Sequence, residues 1–77
     1  MGYDWEGDRD DDQTCVAGAY WCHVECLGED RWFAEVQGPG RMSFHSGDAG
    51  ILPLSSDAAR RLCELVVRVE LGRAGHG

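Results

Sequence analysis

Lysine is absent from this chain: all 7 basic side chains among its 77 residues are arginine, set against 14 acids. The net charge of −7 leaves no basic patch to neutralise phosphates, so direct nucleic-acid binding is not expected. Attachment to an anionic membrane surface is disfavoured for the same reason. Long apolar runs are lacking as well, and none approaches the roughly 20 residues that span a bilayer. The amino terminus has no basic-then-apolar layout of an export signal. Met1-Gly2 is followed by Glu6, where a myristoylation motif needs Ser or Thr. The expectation is a cytoplasmic protein with reduced thiols. The missing lysine, together with 11 glycines and many alanines, reads as a GC-rich coding bias of actinobacterial type.

What is present amounts to one small domain. A chain of this length buries a modest core and is marginal without a metal, disulfides or a partner. Three Trp, two Phe and two Tyr supply bulky apolar material. The charge is uneven: Asp4, Glu6, Asp8, Asp10, Asp11 and Asp12 crowd the first twelve residues with Arg9 as the one base there. Residues 1–13 therefore read as a flexible acidic arm. Tyr3 and Trp5 within it, beside Asp10, Asp11 and Asp12, suit docking on a basic, apolar groove.

Residues 14–72 read as a β-β-β-α unit, and residues 73–77 as a frayed tail. From Thr14 to Cys26 the pattern alternates as one strand. Val16, Gly18, Tyr20, Cys22, Val24 and Cys26 should face the core, leaving Cys15, Trp21, His23 and Glu25 outside. "RWFAEVQ" at 31–37 is a second strand. Apolar matching sets the register, with Cys26 opposite Trp32, Val24 opposite Ala34 and Cys22 opposite Val36. A one-residue slip would mix the faces, so an odd loop is required, Gly28–Asp30 or Leu27–Arg31. "RMSFHS" is a short third strand after the "QGPGR" turn, with Met42 and Phe44 on one face.

"SSDAARRLCELVVRVELGR" is a helix capped by Ser55 or Ser56 and stopped near Gly72. Arg60–Glu64 and Glu64–Arg68 are spaced for ion pairs. Ala58, Ala59, Leu62, Cys63, Leu65, Val66, Val67 and Val69 cover an arc of about 200°, more than one small sheet needs. Leu65, Val66, Val67 and Val69 are therefore the expected homodimer interface. The fold class is α+β: a three-stranded antiparallel sheet, one C-terminal helix packed on it, and the arm in front.

The cysteines invite a metal reading. A small zinc-binding domain would draw on Cys15, Cys22, Cys26 and Cys63, with His23 or His45. In a strand, however, Cys22 and Cys26 lie roughly 13 Å apart, too far for two Zn–S bonds of about 2.3 Å. The same separation forbids a disulfide between them, whereas Cys63 could approach either. Reduced core thiols are the expectation, with Cys15 outermost and free to cross-link dimers on oxidation. "SFHSGD" offers Ser, His and Asp only as local neighbours, without the converging base and cleft of a nucleophilic enzyme. No catalytic residues and no cofactor are expected. An interaction surface remains: Trp21, His23, Phe33 and Glu35 share the outer face, the composition found at interface centres.

"CHVE" at 22–25 and "GILPLSSDAARRLCELV" at 50–66 resemble segments of small acidic actinomycete proteins encoded beside helix-turn-helix regulators of the WhiJ or AbaA type. The first is similar to that group's Cys-Val-Glu-Val strand, the second to its extended strand and apolar-faced helix. "EVQGPGRMSF" stands where the group has an Arg-Asp-Ser-Lys stretch, and the helix lacks the group's usual Trp. The resemblance implies a non-enzymatic partner of a transcription regulator and transfers no functional residue. A regulatory or adaptor protein acting through protein–protein contact is the leading reading. The zinc-binding domain and an acidic inhibitor or nucleic-acid mimic, of phage type, stay open beside it.

Overall fold

The computed structural model describes residues 3–8 and 11–75. It shows an antiparallel sheet in meander order with one C-terminal helix across it. The sheet has five strands: β1 (Glu6–Gly7), β2 (Asp12–Ala17), β3 (Tyr20–Gly28), β4 (Arg31–Gln37) and β5 (Ser43–His45). Helix α1 spans Ser56–Gly75. The α+β class with a carboxy-terminal helix holds, but the expected three strands are five.

Both extra strands come from the amino-terminal half. The stretch expected as one strand from Thr14 to Cys26 is broken by a two-residue turn at Gly18-Ala19, which pairs Ala17 with Tyr20. Gly18 adopts a φ of 63°, a conformation that costs an ordinary L-residue about 1–2 kcal/mol. Two intervening residues reverse the parity of the alternation. β3 turns Tyr20, Cys22 and Val24 inward as expected, whereas β2 turns Gln13 and Cys15 inward and leaves Val16 71% exposed. Cys15, expected outside, is 2% exposed and lies opposite Cys22.

The segment expected as a flexible arm joins the sheet over its described residues. Glu6 and Gly7 pair with Thr14 and Gln13, and Asp12 and Gln13 belong to β2. Gly7, at φ 116°, lies against the β2 backbone, where a Cβ would stand 2.5 Å from the Asp12 carbonyl oxygen. The Trp5 indole donates to Glu64 on α1 at 3.0 Å. Asp10, one of the arm acids, lies outside the described residues.

The β3–β4 register follows the apolar matching, with Cys26 opposite Trp32, Val24 opposite Ala34 and Cys22 opposite Val36. A tight Glu29-Asp30 turn closes the hairpin, and a bulge between Cys26 and Gly28 supplies the odd residue. The bulge thereby keeps the apolar faces aligned. β4 is shielded at its far edge beyond β5: Ala34 exchanges backbone and side-chain hydrogen bonds with buried Ser46 at 2.9 Å, and Trp32 donates to the Pro53 carbonyl at 2.9 Å.

Ser55 caps α1 by accepting from the Ala58 amide at 3.0 Å. The helix passes the expected stop at Gly72 and runs to Gly75. Its inward stripe is Ala59, Cys63 and Val67, each 0% exposed, seated on Cys22, Val24, Ala34 and Val36. Arg60 pairs with Asp57 rather than with Glu64, and Glu64 accepts the Trp5 indole.

Candidate functional site: the outer sheet face

Helix α1 covers one face of the sheet, and the other carries three cross-strand rungs. The first aligns Asp12, Glu25 and Phe33; the second Glu6, Thr14, His23, Glu35 and His45; the third Val16, Trp21, Gln37 and Ser43. Residues directly opposite in antiparallel strands have Cβ atoms about 5 Å apart, so each rung sets its side chains next to one another.

Four rings run diagonally across these rungs. Trp21 stacks on His23 with centroids 5.5 Å apart, His23 meets Phe33 edge-on at 5.4 Å, and Phe33 stacks on His45 at 5.0 Å. Such pairs add roughly 0.5–1.5 kcal/mol beyond area burial. The row spans β3, β4 and β5 and presets one side of the surface as a rigid aromatic strip.

Carboxylates frame the strip. His23 Nδ1 lies 3.1 Å from Glu35 Oε1; a carboxylate only accepts, so Nδ1 carries the proton and donates. Nε2 of the same ring is 3.6 Å from Asp12 and 3.8 Å from Glu25, both beyond good hydrogen-bond length. The Asp12 and Glu25 side chains are 55% and 43% exposed, against 14% for His23. Their lone pairs thus face solvent. His45 is fixed differently, its Nδ1 accepting from the Gly47 amide at 3.1 Å.

Trp21, His23, Phe33 and Glu35 are thus brought together on the outer face, and Asp12 joins them from β2. The other expected residues are scattered. Tyr3 and Trp5 pack against the inner layer. Of the helix positions expected at a dimer interface, Val67 is a core residue at 0% exposure and Val66 is half-buried against the core, because the helix needs that flank to cover the sheet. Leu65 and Val69 are exposed at 52% and 49%.

The cysteines divide similarly. Cys15, Cys22 and Cys63 are buried in the inner layer, while Cys26 is half-buried and donates to the Gly28 carbonyl at 3.2 Å. All four are free thiols. Among the described residues no group of three or more His, Cys, Asp or Glu has the geometry to hold a metal ion. His23 is separated from the buried thiols by the sheet itself. Burial raises the Cys15 thiol above the ordinary 9.0, with Cys22, Glu64 and Asp4 adding to the rise. Cys63 is raised by its hydrogen bond to Cys22 and by burial, and Cys22, receiving that bond, is lowered.

The chain matches no family profile, no curated protein and no solved structure. Its chemistry is therefore read from this surface.

Sequence reasoning missed His45, Asp12 and Val16 as members of the outer face. His45 follows from the alternation of Phe44 inward and His45 outward. Asp12 and Val16 depend on the Gly18-Ala19 turn, where Gly at the first central position, at φ 63°, is the hairpin signal that could have found them. Among the described residues no helix is long and apolar enough to cross a membrane.

Proposed function

We propose that this chain is a non-catalytic adaptor that binds a protein partner through the outer face of its sheet. The observation that carries the reading is the aromatic row Trp21–His23–Phe33–His45, held by stacking and framed by solvent-facing carboxylates. Rigid aromatic anchors lose little conformational freedom on binding, and Trp is enriched among residues that dominate interface energy. Exposed Val16 sits directly opposite Trp21 and widens the apolar part of the patch. A transcription regulator is the partner class that the resemblance of residues 22–25 and 50–66 implies.

The test is site-specific photocrosslinking in the cell that makes the protein. A benzophenone side chain at Trp21 should give a discrete adduct with another protein, and the same group at Arg68 on the exposed side of α1 should not. Absence of an adduct at Trp21, or equal adducts at both positions, would overturn the reading.

A further inference from the structure

We propose that the occupant of the outer face is a basic protein segment whose arginines stack on Trp21 and pair with Asp12 and Glu25. This rests on the reading of the outer face as a partner surface and names the chemistry that fits it.

The charge layout points to the sign of the partner. Helix α1 carries four arginines against three acids, while the rest of the chain carries three arginines against eleven acids. The outer-face rungs hold four carboxylates, Glu6, Asp12, Glu25 and Glu35, against Arg31 on the same side of β4. On the outer face itself, Glu35 is engaged by His23, and Asp12 and Glu25 converge on Nε2 of the same ring without reaching hydrogen-bond distance. Two exposed carboxylates from neighbouring strands, opposite each other in the register, are left short of donors. A guanidinium offers five donors in a planar fork that matches carboxylate oxygens.

The rings select among cations. Trp21 is 36% exposed and its ring is already held parallel to His23 by stacking, with 22° between the planes. A planar guanidinium continues such a stack and gains cation–π attraction, which a compact, strongly hydrated ammonium does less well. Along β3, Trp21 and Glu25 are about 13 Å apart, the spacing of alternate side chains over several residues of an extended segment. One arginine would lie on Trp21 and another between Asp12 and Glu25.

Other occupants fit less well. A second copy docking by the same face would set Asp12, Glu25 and Glu35 against their counterparts, and like charges across an interface are repulsive. A nucleic acid or an anionic lipid surface would meet the same carboxylates.

The experiment uses the full chain, labelled with ¹⁵N, and short peptides alternating glycine with arginine, lysine or citrulline. The three indole N–H signals report separately: Trp21 on the outer face, Trp5 beside Glu64, and Trp32 in the core. The arginine peptide should shift the Trp21 signal and bind about tenfold more tightly than the lysine peptide, with citrulline silent. Trp21→Ala, and separately the pair Asp12→Asn with Glu25→Gln, should each weaken it about tenfold. Equal binding of the arginine and lysine peptides would overturn the proposal, as would shifts at Trp5 in place of Trp21. Concentration-dependent shifts of Trp21 without peptide would replace the basic segment by a second copy. The wild-type comparison needs no variant to fold. If the Trp21 photocrosslink forms while arginine peptide leaves Trp21 unmoved, this proposal falls and the adaptor reading stands; if neither occurs, both fall.

Discussion

The Trp5 indole donates to the Glu64 carboxylate at 3.0 Å, joining residues 59 positions apart in the chain. It fastens the acidic amino-terminal segment to the flank of α1, beside β1 and the edge of β2. Trp5→Phe should therefore cost about 1 kcal/mol, the net value of one hydrogen bond. Trp5→Ala should cost about 2–3 kcal/mol, since half-buried packing is lost as well. Urea unfolding reads both as lowered midpoints, and an unchanged midpoint for Trp5→Ala would mean that the segment does not contribute to the fold.

The thiols should respond to reagents by layer. Iodoacetamide at neutral pH should label Cys26 in the native protein, and reach Cys15, Cys22 and Cys63 only on unfolding, because these three are buried. Mass spectrometry of labelled native and urea-unfolded samples counts the adducts.

Raised thiol values also fix a sign for stability against pH. Burial raises Cys15, and the hydrogen bond to Cys22 followed by burial raises Cys63. Their protons remain on the native state at pH values where the unfolded chain has lost them. The associated stability is complete below the ordinary thiol value of 9.0 and declines as pH climbs above it. Cys22 opposes this as the lowered partner of Cys63. Replacing Cys15 by Ala should flatten the alkaline decline in urea midpoints; an unaltered slope would remove Cys15 as its source.

Ser46 is 0% exposed and its Oγ accepts the Ala34 amide at 2.9 Å. Ser46→Ala leaves that amide without its acceptor inside the fold and should cost about 1–3 kcal/mol. Hydrogen exchange should show faster loss of protection at Ala34 than at Val24, on the neighbouring strand.

Two glycines should respond differently to Ala. A Cβ at Gly38 would stand 2.6 Å from the Tyr20 ring, whereas one at Gly18 meets open space. Gly38→Ala should cost about 1–3 kcal/mol through overpacking. Gly18→Ala should cost about 1–2 kcal/mol through its positive φ alone. A structure of each variant separates the causes: the Tyr20 ring moves in the first and stays in the second.

The β3–β4 pair was legible because its apolar residues match in a single register, and a slip would bury Glu25 and expose Val24. The cap at Ser55 and the amphipathic period of α1 were equally local, but the wide apolar arc did not separate Val67 in the core from Leu65 and Val69 outside it. Trp21, His23, Phe33 and Glu35 could be placed together on the outer face from the same alternation. The inward side of β2 could not. Cys15, Val16 and Ala17 are all small or aliphatic, so alternation alone does not choose between their faces. Only the turn at Gly18 settles the parity.

The helix, the central hairpin and the shared outward side of Trp21, His23, Phe33 and Glu35 were local outcomes, because each rests on a short period and on nearest-neighbour matching. Tertiary structure decided that Cys15 is buried, that Val67 belongs to the core and that the acidic segment enters the sheet. Those outcomes depend on contacts such as Trp5 with Glu64 and Gln13 with Ser56, the latter at 2.8 Å across 43 positions. No local propensity encodes such contacts: they form only after the sheet and helix have met and offered a half-buried acceptor to a donor from far along the chain.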